Sequence, residues 1–213
     1  MILNFEDEDI FKTSIDKNHD KSNNIIRIIV VIFISSTIVT EILLFSAILL
    51  YPDFSWIYNT FSEFGLQKES FIPSVLALII TFLGNYPLLI YFLKRTFNYN
   101  KFLFLGTIFL IFTNTMIGFE GIIPIFFFDL HLIGAQILLI SFVIALGLYI
   151  VGFQKEDNRS ISILCVIKII IMIILWAVFF YFDPKIGYAI PEFISSVLFY
   201  ILLIILIFKL LQH

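Results

Sequence analysis

Six long apolar runs separated by short polar links fill most of this 213-residue chain, and few folds can accommodate them. A helix needs about 20 apolar residues to cross the roughly 30 Å hydrocarbon core of a bilayer. The chain supplies such stretches at about 25–50, 70–93, 101–124, 129–153, 160–182 and 190–211. Membrane-spanning strands would instead alternate with period two over about ten residues. These runs are longer and apolar on nearly every side, so each is read as a helix that satisfies its own backbone in lipid. The expected fold is an all-α, polytopic six-helix transmembrane bundle. Residues 1–24 read as a polar cytoplasmic tail and 25–213 as one six-helix domain, because the links are too short to hold another unit.

Composition supports lipid as the solvent. The mean hydropathy is +1.06, 61% of residues are hydrophobic and 27 are phenylalanine, more apolar surface than a soluble domain of this size could bury. The net charge of −3 comes partly from the acidic run at 6–9, read as a short solvated, mobile tail with nothing to attract nucleic acid. About 24 polar residues precede the first run, which is long enough to span, so it reads as a retained helix and not a secretory signal. Cys165 stands alone, which excludes a disulfide framework and a cysteine metal site.

Basic residues set the expected orientation. Lys12, Lys17, Lys21 and Arg27 precede the first span, Lys94, Arg95 and Lys101 lie between the second and third, and Lys155 and Arg159 between the fourth and fifth. Lys68 and Lys185 fall in the alternate links. The positive-inside rule therefore puts both termini in the cytoplasm. Lys168 and Lys209 lie within spans near the expected cytoplasmic ends, where a long stem can carry its ammonium to the headgroups.

The unusual polar residues gather toward the other side: Glu41 in the first span, Asn114 and Glu120 in the third, His131 and Gln136 in the fourth, and Glu192 at the start of the sixth. An ionisable group within a span costs about 2.5–3.5 kcal/mol on insertion scales and normally faces the bundle. Glu41 is accordingly expected to point inward, level with Asn114, Gln136 or His131. Gly134 and Ala135 follow His131 and would let a neighbouring helix approach closely.

Ser62, Glu63 and His131 admit a reading as nucleophile, acid and base. Ordinary turn chemistry is the simpler reading: Ser62 as a helix cap, Glu63 accepting backbone donors and Gly65 at positive φ. With His19 and His213 in the tails, a multi-histidine zinc site is excluded; one histidine with Glu63, Glu120 and Glu192 could still hold a metal, but no compact ligand spacing supports it, and no metal or cofactor is assigned. Trp56, Tyr51, Tyr58, Tyr181 and Tyr188 fit an interfacial aromatic belt. Pro73, Pro87, Pro124 and Pro191 fall near helix ends or at kinks.

The segment Phe54-Ser55-Trp56 with Asn59-Thr60-Phe61-Ser62-Glu63-Phe64-Gly65 resembles the "FSW…N.xSDLG" motif of a bacterial and archaeal membrane family, the domain of unknown function number nine hundred and ninety-eight. Gly118-Phe119-Glu120-Gly121-Ile122-Ile123-Pro124, Asp129-Leu130-His131-Leu132-Ile133-Gly134-Ala135 and Ala189-Ile190-Pro191-Glu192-Phe193 are similar to its later motifs. Glu63 stands where that family has Asp. The same order is remotely similar to the DRAM, Sfk and FRAG-type six-helix proteins. That likeness implies a role in membrane-lipid matters such as remodelling of lipid-anchored proteins.

The candidate polar pocket on the outer side thus comprises Glu41, Ser62, Glu63, Asn114, Glu120, His131 and Glu192. The function expected first is a multi-pass integral protein of the cell membrane that binds a lipid or another membrane protein there. A membrane-embedded hydrolase or acyl-transfer enzyme using His131 and carboxylates is the alternative. A proton-coupled transporter comes third, since no inverted repeat or broken helix pair supports it.

The orientation predicts that reporters fused to either terminus are cytoplasmic. It also predicts that the sequon Asn158-Arg159-Ser160 stays unmodified in a glycosylating host. A glycan on Asn158 would reverse the topology.

Overall fold

A computed structural model describes residues 5–123, 127–182 and 188–211. Pro124, Lys185 and His213 lie outside the described residues. Six long helices form the bundle: α1 (Phe5–Leu49), α2 (Lys68–Thr96), α3 (Lys101–Ile122), α4 (Phe128–Lys155), α5 (Arg159–Phe182) and α6 (Ala189–Leu211). A single 3-10 turn, Phe61–Leu66, interrupts the α1–α2 link, and no strand occurs among the described residues. Each long helix contains a stretch long and apolar enough to cross a membrane. The chain is therefore a multi-pass integral membrane protein with an all-α, six-helix architecture.

α1 begins at Phe5, so the polar segment read as a mobile tail is helical and continuous with the first span. α3 is started by Asn100, whose Oδ1 accepts from the amides of Phe102 (3.1 Å) and Leu103 (3.3 Å). Pro73 and Pro87 lie inside α2, which continues through both.

The two halves of the bundle are packed differently. Toward the α2–α3 link, side chains such as Leu89, Phe92, Leu103, Tyr149, Phe153 and Leu206 form a solid buried core. Toward the opposite end, where the 3-10 turn and the first turn of α6 lie, a cavity opens in the interior. α3 and α4 pack most extensively, and α2 is flanked by α1 and α3. At the α1–α2 seam a Cβ added to Gly84 would overlap the Ser36 side chain, so glycine sets how closely these helices approach.

Hydrogen bonds staple the seams. Thr40 of α1 bonds Thr81 of α2 (3.0 Å), which bonds the Tyr200 hydroxyl of α6 (3.1 Å). Asn85 of α2 donates to Asn114 of α3 (3.1 Å), and Thr107 and Thr113 of α3 meet Tyr149 and Ser141 of α4. α5 is tied to α6 by Lys168, whose Nζ donates to the Leu198 carbonyl at 3.1 Å. Lys168 is only 1% exposed, so it does not reach the headgroups as its position in the sequence suggested. Lys209 likewise turns to a protein partner, Glu156, at 3.2 Å. In both cases another segment of the chain offers the ammonium an acceptor.

Leu198 O is already an α-helical acceptor, so its bond to Lys168 is a second one and dispensable for satisfying the backbone. Lys168→Met is therefore expected to change stability by less than about 1 kcal/mol, since a well-packed apolar side chain commonly replaces a buried charge without loss. Lys168→Glu, which would face a carbonyl with a carboxylate, should cost about 3 kcal/mol. Thermal unfolding in detergent reads the difference.

Candidate active site

The α1–α2 link is built by aromatic packing. Phe61 and Phe64 stack at 5.5 Å, Phe54 lies 4.9 Å from Phe64, and Trp56 meets Phe193 of α6 edge-on at 5.6 Å. Asn59 closes the link on itself: its Oδ1 accepts from the Ser55 amide (2.8 Å) and its Nδ2 donates to Glu63 Oε2. Thr60 caps the 3-10 turn by accepting from the Glu63 amide, the role expected of Ser62. No glycine among the described residues has positive φ, so Gly65 does not serve as a left-handed turn residue.

Freed from capping, Ser62 faces α4. Its Oγ is 2.7 Å from His131 Nε2. On the other side of the ring, His131 Nδ1 lies 2.6 Å from Glu120 Oε2 and 3.3 Å from the Ile123 carbonyl. Both neighbours of Nδ1 are acceptors, a carboxylate and a carbonyl, so the neutral ring carries its proton there. The Nε2 lone pair is then directed at the Ser62 hydroxyl. This is the arrangement by which a serine hydroxyl is activated: a base in hydrogen-bond reach, itself oriented by a buried carboxylate.

Gly134 makes room for it. A Cβ at this position would overlap Glu120 Oε1 and press on the Phe119 ring, so α4 has no side chain where α3 brings its carboxylate. Glu120 Oε1 is buried there without a hydrogen-bond partner among the described residues. The close helix approach expected from Gly134 thus serves the Glu120–His131 contact.

Glu192, in the first turn of α6, accepts from the Phe61 amide at 2.6 Å, and the Ala189 amide donates to the Asn59 carbonyl at 3.0 Å. One bond to a side-chain carboxylate and one backbone–backbone bond therefore fasten the turn that carries Ser62 to the start of α6. Ser62, Glu120, His131 and Glu192 line one cavity of about 250 Å³. Its deeper wall is apolar and includes Leu78, Leu138, Phe142, Met172 and Phe199, with Trp176 and Ser195 nearer the polar end. Phe142 and Phe199 meet edge-on at 5.5 Å toward the packed core.

Three candidate residues lie elsewhere. Glu63 is held by Asn59 and does not line the cavity, while Asn114 sits in the α2–α3 seam and donates to the Phe82 carbonyl at 2.9 Å. Glu41 is exposed on α1 and not directed inward as expected, although it is within electrostatic range of the Tyr200 hydroxyl. α1 packs chiefly on α2, so it buries only a stripe containing Ile26, Ile29, Phe33, Thr40 and Ala47, and Glu41 falls beside that stripe. No cluster of three or more potential metal ligands occurs among the described residues. The apolar wall from α5 and α6 was missed by sequence reasoning. Its signal was the i, i+4 spacing of Met172 and Trp176 on α5.

Comparison with protein-family models, curated proteins and solved structures finds no match to this chain.

The hydrogen bond from His131 Nδ1 to Glu120 should give a downfield proton resonance, observable by NMR in detergent micelles. Gly134→Ala, by displacing the Glu120 carboxylate, is expected to remove that resonance while leaving helix content unchanged. Ser62→Ala, which acts on the other ring nitrogen, should retain it.

Proposed function

We propose that the protein is a membrane-embedded serine acyl hydrolase or acyl transferase that acts on a lipid ester. The observation that carries this reading is the run of contacts from Ser62 Oγ through the His131 ring to Glu120, at 2.7 and 2.6 Å, opening onto an apolar cavity. A lipid-binding protein needs the cavity alone. A hydroxyl, an imidazole and a carboxylate in series, drawn from three separate segments, add nothing to binding an acyl chain but are what nucleophilic catalysis requires.

In this reading the acyl chain lies along Leu78, Leu138 and Phe142, with its ester carbonyl beside Ser62. Ser62 Oγ attacks the carbonyl carbon as His131 Nε2 takes the hydroxyl proton. The C–O bond to the leaving alcohol then breaks, and His131 returns the proton to the departing oxygen. Water releases the acyl group from Ser62 in a hydrolase; a second hydroxyl accepts it in a transferase. Glu120 holds the ring in the productive tautomer and stabilises the imidazolium that forms. Glu192 positions the Ser62 turn through the Phe61 amide.

Purified protein in detergent is expected to release fatty acid from a long-chain fluorogenic ester. Ser62→Ala and His131→Ala should each lower the rate by about 10³-fold or more, and the double variant should be no slower than either alone, since the two act as one unit. Glu120→Gln should lose about 10²–10⁴-fold with little change in KM, the consequence of a misoriented base. Additive losses, or full activity in Ser62→Ala, would leave the lipid-binding reading in place.

A further inference from the structure

At the opposite end of the bundle a second cavity, of about 310 Å³, lies between the α2–α3 and α4–α5 links. Tyr99, Asn100, Lys101, Phe102, Lys155 and Glu156 line it. Lys155, at the end of α4, sits over the Phe102 ring at 4.3 Å from its centroid, and Lys101, at the start of α3, approaches the same ring at 5.4 Å. Two ammonium groups from different helices are thus held over one aromatic ring.

The adjacent carboxylate does not neutralise them. Glu156 Oε2 pairs with Lys209 of α6 at 3.2 Å, while its Oε1 accepts from Asn100 Nδ2 at 3.3 Å. Asn100 Nδ2 also donates to the Gly152 carbonyl at 3.0 Å, which fixes this side of the cavity. Asp157, the next acidic residue, is exposed and makes no ion pair within 4 Å among the described residues. A ring face offsets only part of the repulsion between two cations at an exposed site.

We infer that this cavity is a binding site for a phosphate-bearing anion, with Lys101 and Lys155 as its two cationic ligands. Its position at the end of membrane-spanning helices, where a headgroup would lie, favours an anionic phospholipid as the carrier. Basic pockets between transmembrane helices are suited to such headgroups. The site lies at the opposite end of the bundle from Ser62 and does not depend on the proposed chemistry there.

The test is native mass spectrometry of the detergent-purified full chain titrated with phosphatidylglycerol, phosphatidylcholine or inorganic phosphate. Retention of phosphatidylglycerol in preference to phosphatidylcholine is expected. The double variant Lys101→Gln/Lys155→Gln should weaken it by roughly 10- to 30-fold, the effect of two near-surface charges. A control pair, Lys68→Gln/Lys94→Gln, should leave it unchanged. Displacement of the lipid by inorganic phosphate would identify the phosphate as the recognised group; no displacement would assign recognition to the phosphate within its lipid. Helix content measured by circular dichroism distinguishes lost binding from lost folding, and the single variants Lys101→Arg and Lys155→Arg, which keep the charge, should retain binding. Equal retention of both lipids, equal loss in the control pair, or unchanged binding in a folded double variant would each overturn the inference.

Discussion

Hydrocarbon offers no hydrogen bonds, so a polar side chain carried into this bundle is strongly favoured to find a partner on another segment. That constraint organises the molecule. Thr40, Thr81 and Tyr200 join α1, α2 and α6; Asn85 and Asn114 join α2 and α3; Lys168 joins α5 to a carbonyl of α6. The Ser62–His131–Glu120 series obeys the same rule, with three segments meeting through one imidazole ring. What sets it apart is that it joins a hydroxyl, an imidazole and a carboxylate on the wall of a cavity.

The uneven packing of the two halves gives that difference its meaning. In the solid half, buried side chains such as Leu103, Tyr149 and Phe153 fill the interior between the helices. In the hollow half, an aromatic link folds over the end of the bundle and is fastened to α6 through Glu192 and Ala189. The turn that carries Ser62 is thereby held to α6 through Phe61 and Asn59, and the Ser62 hydroxyl meets His131.

The helical spans were legible because their signal is length and apolarity, which lipid imposes on each segment separately. The shared face of Ser62, Glu120, His131 and Glu192 was also legible, since alternating spans put their links together. Which carboxylate serves the histidine was not. Glu63 is adjacent to Ser62 in sequence, yet a turn carries it to Asn59, whereas Glu120 arrives on a separate helix through the space left by Gly134. Glu41 shows the same limit from the other direction. The cost of placing a carboxyl in lipid argued for an inward side chain, but the stripe by which α1 packs on α2 leaves that position outward. Orientation about a helix axis depends on which neighbours are present, and no single helix encodes that.

In the proposed chemistry Ser62 is a nucleophile activated by His131. The most direct measurement is covalent trapping with a long-chain fluorophosphonate, followed by peptide mass mapping of the adduct. A single phosphonylated residue, Ser62, is expected, with labelling abolished in His131→Ala although the protein remains folded. Absence of any adduct on folded wild-type protein, or labelling of Ser62 that persists undiminished in His131→Ala, would contradict it.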